Sequence, residues 1–498
     1  MRSLKRSLAE YSQPMLQGIA HNLGLSHLAP DKEEAARQIA AHLLDDELLQ
    51  ALLARLSPQA REALQQVQAA TSPLSWATFV RWFGPVREMG PQRLLREQPW
   101  RHMESPAEEL LYHGLIYHGL RRLDDTVSDV VYIPPELLLL LPPVDSASDF
   151  QLPVQQAPER WQRAGTAFLQ DMVILLAHIY LEGLQVDWEG QPLRGALIQV
   201  GRKLRPPLQP TELLRLPPRV MLLFHHLRVL GLVTQEGDRL LLDRRNVTRW
   251  LKQPTSYQRF TLWRAWAESP RWNDLCQMPT LECIGSGWQN DPLAARRRIF
   301  TYLAELSPRT WYRVQDWVQA IYERDPDFQR PQGNYDTWLL RDRERGEILR
   351  GFEYWQAVEG ALLRFYVQGP MAWLDAAVLD TEGGVFALTP AGERWLHRRS
   401  EPMRKVRPQV RIDPDFRVHL PLNVRAFDHF RVARIAEWEQ SSPHYVYRLT
   451  QRSLQRAVEQ GLSISRILAF LHQASGARVP SRVTRALSRW ETTRSAHS

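Results

Sequence analysis

Residues 218–242 impose the tightest constraint on the fold. From Pro218 onward Val220, Leu223, Leu227 and Leu230 recur at spacings of three and four, which predicts a helix, and Gly231 supplies its C-cap. Leu232-Val-Thr and Arg239-Leu-Leu-Leu then flank the polar turn Gln235-Glu-Gly-Asp, so a two-stranded hairpin must follow the helix at once. The same order recurs on either side. Upstream, residues 61–70, 76–83 and 106–120 read as helices, and 128–133 as a strand after the polar turn Asp124-Asp125. Downstream, helical stretches 354–366 and 371–378 precede the turn 380–384 and a strand at 385–388; Thr389 and Pro390 then open a capped helix.

Two or three short helices followed by a hairpin is the outline of a winged helix. With 498 residues and roughly 150 per domain, three or four domains are expected. The expected fold class is mainly α with small β wings (α+β): tandem winged-helix domains plus a small C-terminal α/β module. The divisions fall at 1–56 (helical module, from amphipathic spacing between Leu16 and Leu56), 57–143 (first winged helix), 144–158 (a polar, proline-containing linker), 159–252 (second winged helix), 253–400 (helical connector and third winged helix) and 401–498 (basic module). The eighteen tryptophans are expected mostly in cores and domain seams rather than on base-stacking surfaces.

The residue patterns of catalysis are missing from the sequence. A phosphate-cradling loop needs G-x-x-x-x-G-K-[ST], and none occurs; Gly285-Ser-Gly287 and Gly383-Gly384 read as turns. Asp45-Asp46 and Asp124-Asp125 are neighbours whose side chains diverge, so they do not make a metal carboxylate pair. No H-E-x-x-H or G-x-S-x-G run appears. Cys276 and Cys283 are too few for a disulfide framework and are expected to be reduced and structural. The expectation is a chain that is not an enzyme, with no catalytic residues, metal or cofactor. No apolar stretch is long enough to span a bilayer, so no membrane partner and a cytoplasmic location are expected.

Charge is concentrated at one end. Residues 391–498 carry +11 of a total of +8, so the preceding 390 residues carry −3. Such a distribution favours a polyanionic partner. Within the basic end, Val410 to Leu420 reads as two strands about an Asp-Pro-Asp turn, Thr450 and Ser463 cap two helices, and Pro480 starts a third. On that last helix Val483, Ala486, Leu487 and Trp490 share one direction, which leaves Arg482, Arg485 and Arg489 as a separate stripe. With Arg452 and Arg456 this stripe forms the expected phosphate track. In the second winged helix Arg219, Arg228, Arg239 and His226 are expected to face phosphate as well.

The run 447–471, followed by Ser475-Gly and Val479-Pro-Ser-Arg-Val483, resembles the amino-terminal domain of XPB-type DNA helicases, and Val410 to Leu420 matches that domain's opening strand, turn and returning strand. The segment Arg93 to Pro135, with Glu97-Gln-Pro-Trp100, Ser105-Pro-Ala-Glu-Glu-Leu-Leu-Tyr-His-Gly-Leu115 and Val131-Tyr-Ile-Pro-Pro-Glu-Leu137, is similar to bacterial proteins described as helicase-associated, which join winged helices to this domain. In XPB-type helicases the domain precedes two ATPase lobes and is associated with engaging DNA and partner proteins. The sequence ends soon after Trp490 without those lobes, so unwinding activity of its own is not expected. The resemblance implies a non-catalytic accessory that holds duplex DNA for, or docks on, a separate XPB-like ATPase in repair, recombination or defence. A winged-helix transcriptional regulator and a protein-interaction scaffold that binds no DNA are the alternatives, with a nuclease a distant fourth.

Overall fold

A computed structural model describes the chain except residues 1, 71–73, 124–125, 144–151, 214, 331, 403–409 and 496–498. About 51% of it is helical and 13% lies in strands of small sheets, which makes the class α+β.

The amino-terminal body contains α1 (Leu4–Ala9), α2 (Gln13–Asn22), α3 (Lys32–Leu43), α4 (Asp46–Arg55) and α5 (Pro58–Ala69). It continues through β1 (Leu74–Ser75), α6 (Trp76–Phe83), α7 (Pro91–Glu97), α8 (Pro106–Tyr112), β2 (Tyr117–Leu123), β3 (Thr126–Tyr132) and α9 (Pro135–Leu138). Its helix starts are set locally: the side chains of Asp31, Asp45, Ser57, Ser75 and Ser105 each accept a hydrogen bond from the backbone N–H three residues on.

The middle of the chain opens with β4 (Val154–Gln155), β5 (Trp161–Gln162) and α10 (Ala167–Glu182), then β6 (Leu184–Gln185), α11 (Arg194–Gly201), α12 (Pro218–Val229), β7 (Val233–Glu236), β8 (Arg239–Leu242) and α13 (Arg244–Leu251). Next come α14 (Thr255–Ala267), α15 (Asp274–Gln277), β9 (Leu281–Cys283), α16 (Pro292–Ala304), β10 (Trp311–Arg313), α17 (Val314–Arg324), β11 (Leu340–Asp342), α18 (Trp355–Tyr366), β12 (Ala377–Asp380), β13 (Val385–Leu388) and α19 (Pro390–Leu396). The carboxy-terminal module is β14 (Arg411–Ile412), β15 (Arg417–Leu420), α20 (Ala426–Ile435), β16 (Glu437–Gln440), β17 (Tyr445–Arg448), α21 (Gln451–Glu459), α22 (Ile464–Ser475) and α23 (Ser481–Ser495).

One topology occurs three times. A short strand, helices, and a hairpin follow each other, and the short strand pairs antiparallel with the hairpin's second strand: β1 with β3, β6 with β8, β10 with β13. Each pairing closes a small sheet over its helices. The third sheet is widened by β4 and β5 to the order β4-β10-β13-β12-β5. Two apolar cores result, one built within residues 4–141 and one running from Phe168 to Leu487 through the middle units and the carboxy-terminal module. Helix α10 is apolar nearly all round, with every residue from Phe168 to Ile179 buried, as expected of a helix enclosed by its neighbours. The amino-terminal body meets the rest at Arg81, whose guanidinium lies 4.0 Å from the Phe352 ring centre and donates to the Gly333 carbonyl at 3.2 Å.

Several expectations are corrected. The helix read over 106–120 stops at Tyr112, because Gly114 adopts φ +69 and Leu115 N–H turns back to the Leu110 carbonyl; Tyr117 then opens β2. The stretch 371–378 is not a helix: a π-type turn at Val367–Met371, with Gly369 outside helical geometry, leads into β12. Val154–Gln155, inside the supposed linker, is an edge strand on β10. Cys276 and Cys283 are not reduced; α15 and β9 bring their Cα atoms to 5.4 Å and they form a disulfide. The turn Asp124-Asp125 lies outside the described residues. Of the eighteen tryptophans only Trp161 and Trp188 are exposed, so the core reading of these rings is right.

Gly392 fixes how α19 seats on the third sheet. A Cβ there would lie 2.0 Å from the Ala376 carbonyl oxygen, a backbone atom that cannot swing aside. Gly392→Ala is therefore expected to cost about 1–3 kcal/mol, read as a lowered thermal midpoint.

Candidate nucleic-acid interface

The carboxy-terminal module is a four-stranded antiparallel sheet, order β14-β15-β17-β16, covered by helices. Thr450 and Ser453 form a reciprocal capping box at the start of α21, Ser463 caps α22, and Gly476 ends α22 in the left-handed region. These local signals place α23 against α22. On α23 Val483 and Leu487 are buried, Ala486 and Trp490 half-buried, and Arg482, Arg485 and Arg489 exposed, the division expected from the sequence. Trp490 stacks on Phe416 in the β14–β15 turn, and the Arg482 guanidinium sits 6.0 Å from the same ring. Arg485 Nε donates to the Ser481 carbonyl at 3.4 Å. Arg452 is exposed on the first turn of α21, whereas Arg456 is half-buried with its Nε unbonded.

The second unit divides differently. Arg219 faces inward, pairing with the fully buried Asp171, which also accepts from Arg205 N–H at 3.0 Å. Burial pushes the Asp171 carboxyl up to about 6 against the pull of Arg219. Arg219 is therefore a core ion pair and not a phosphate contact. Arg228 is half-buried beneath Gly190 and the Gln235 side chain, and burial holds its pKa below the usual value. His226 is wholly buried, its ring nitrogens 2.6 and 2.7 Å from the Leu222 and Leu262 carbonyl oxygens. Only Arg239 of this group is exposed, on β8 opposite Glu236.

Sequence reasoning missed a second basic face. Helix α13 and the residue after it read Arg244-Arg-Asn-Val-Thr-Arg-Trp-Leu-Lys252, with Val247, Trp250 and Leu251 buried and Arg244, Arg245, Arg249 and Lys252 exposed. The signal was present: apolar positions at spacings of three and four, with cations at four of the other six.

The module docks on α10, and on Lys203 just after α11, through polar contacts. Gln170 Nε2 donates to the Val424 carbonyl at 2.7 Å, and its Oε1 meets His429 Nδ1 at 2.7 Å. His429 Nε2 lies 2.8 Å from the Tyr447 hydroxyl, and burial holds this imidazole down to about 3. Arg434 donates to the Tyr180 hydroxyl at 2.6 Å, and Ser441 Oγ to the Lys203 carbonyl at 2.6 Å. On the sheet, His419 bridges Asp413 and His444, but among the described residues no group of three or more His, Cys, Asp or Glu side chains is placed to hold a metal ion. Nor is any described helix long and apolar enough to cross a membrane.

Residues 410–494 match the family described as the helicase conserved C-terminal domain. Over that span the module is similar to a helicase-type C-terminal domain. Its matched span contains all of α20 to α22 and nearly all of α23, so the arginine stripe belongs to the helicase-type domain itself. No curated protein matches the chain.

Proposed function

We propose that this protein is a non-catalytic accessory that binds duplex DNA and holds it for, or docks on, a separate XPB-like helicase ATPase. The observation that carries the reading is the exposed row Arg482, Arg485 and Arg489 on the helicase-type domain, within the end of the chain that holds all the net positive charge. The thrice-repeated strand, helices and hairpin topology supports reading the preceding units as winged helices, the second of which presents Arg239 on its wing. The missing phosphate-loop motif supports assigning ATP hydrolysis to the partner.

Binding of this kind is dominated by counterion release, so log affinity falls linearly with log salt by about 0.9 per phosphate neutralised. The full chain is expected to bind labelled random-sequence duplex with a steep salt slope and to hydrolyse no ATP. Replacing Arg482, Arg485 and Arg489 together by Gln should reduce the slope by up to about 2.7. A slope that stays at the wild-type value removes these residues from the interface; nucleotide hydrolysis by the purified chain removes the non-catalytic assignment.

A further inference from the structure

Two like-charge pairs straddle the seam between the second unit and the helicase-type domain. Around Tyr180 of α10, the guanidinium carbons of Arg244 from α13 and Arg434 from α20 lie 5.7 and 4.3 Å from the ring centre. Around Phe427 of α20, Lys252 and Arg431 lie at 5.9 and 5.5 Å. Each ring thus holds one cation from either side of the seam. Cation–π contact offsets part of the repulsion but supplies no negative charge.

The nearby acids make their close contacts elsewhere, and only Asp428 also acts on a seam cation, Arg431, through space. Asp243 caps α13 through Asn246 N–H at 2.9 Å, Asp428 accepts from Arg425 Nε at 2.7 Å, and Glu182 sits 3.7 Å from His178 Nδ1. Arg244, Arg245, Arg249, Lys252, Arg431 and Arg434 make no ion pair among the described residues, and Arg434 Nε is buried with no hydrogen-bond partner. Burial, and after it the neighbouring Arg244, lowers the Arg434 pKa against the Tyr180 hydroxyl, which raises it. An anion lying along the seam relieves this repulsion and satisfies donors from both units at once.

We infer that α13 and α20 together form a second phosphate-backbone contact, a cationic face across the seam that takes duplex DNA and exists only while the two units are docked. The inference rests on the DNA-binding reading above but names a different surface from the α23 stripe. Duplex rather than single strand is specified because Tyr180 and Phe427 are half-buried, with cations already packed on them, which leaves no open ring for a base to stack on.

The test is the salt slope of the full-length chain on fluorescein-labelled random-sequence duplex. The triple variant Arg244→Gln, Arg249→Gln, Lys252→Gln is expected to lower the slope by up to about 2.7 and to weaken binding about tenfold or more near physiological salt. Arg431→Gln alone should lower the slope by up to about 0.9. Arg244 and Lys252 also pack on the Tyr180 and Phe427 rings, so Arg244→Lys with Arg249→Lys, which keeps the charge, should keep the wild-type slope and separates lost charge from lost packing. If both Gln variants retain the wild-type slope while the α23 triple loses it, this inference fails and the proposed function stands. A change from α13 or α20 alone refutes the shared seam face. Tighter binding of a single strand than of the duplex overturns the duplex assignment, and wild-type protein that ignores duplex even at low salt overturns both readings.

Discussion

Asp274→Ala is expected to cost about 3–5 kcal/mol of stability, because it strands a buried guanidinium. Asp274 is 1% exposed and Arg296 is fully enclosed. The carboxylate accepts Trp266 Nε1 at 2.9 Å and Trp272 Nε1 at 2.8 Å on one oxygen, and Arg296 Nε at 3.0 Å with the Tyr366 hydroxyl at 2.9 Å on the other. Arg296 spends its remaining donors on the Trp266, Ser269 and Trp272 carbonyls. One acid therefore ties α14, α15, α16 and α18 into a single polar knot inside the larger core. Removing it leaves a charge without a counterion and three donors without an acceptor, in a site water does not reach. Asp274→Asn keeps the shape and loses the charge, so it should fall between wild type and Ala. The double replacement Asp274→Leu with Arg296→Met should recover much of the loss, since an apolar pair of similar volume is often neutral where a broken ion pair is not. Urea unfolding followed by tryptophan fluorescence reads all three, as Trp266 and Trp272 touch the carboxylate directly.

What the sequence made legible was local. The α12 helix and its β7–β8 hairpin, the Thr389 cap of α19, the Thr450 and Ser463 caps and the α23 arginine stripe each depend on residues within a few positions of one another, and each is found where expected. The misreadings share a different cause. Arg219 looked like a phosphate contact because its partner Asp171 lies on another helix, and β4 looked like linker because β10, the strand it pairs with, follows far along the chain. The helix over 106–120 was overextended because Leu115 and Leu120 continue the apolar spacing past Gly114, while only the turn at Gly114 ends it. The α13 face was legible in principle, but its meaning depends on α20 arriving beside it from a distant part of the chain.

Acid is expected to loosen the helicase-type domain from α10 before it unfolds the amino-terminal body. His429 is held down to about 3 by burial between Gln170 and Tyr447, while an unfolded histidine titrates near 6.5. Because the folded value is the lower one, the unfolded chain binds the proton first as pH falls. The stability associated with neutral His429 is thus intact above about pH 6.5 and is lost progressively down to about 3. At about pH 4.5 some two pK units have been traversed, about 3 kcal/mol through this one side chain. His225, lowered to about 4 by burial and by His226, acts with the same sign. Asp171 acts in the opposite sense: its carboxyl is raised to about 6 by burial, so its contribution is present below the unfolded value near 3.8 and is lost as pH rises through 6. Asp327 and Glu359, raised by burial, act with Asp171 but lie away from the α10–α20 contact, where neutral His429 makes acid weakening. Hydrogen exchange at neutral pH and at about pH 4.5 should show protection falling first in α10 and α20, with the 4–141 core retained. His429→Gln, which keeps a polar partner for Gln170 and cannot take up the proton, should flatten the pH dependence of the α10–α20 protection; a profile as steep as wild type would assign the acid sensitivity to other groups.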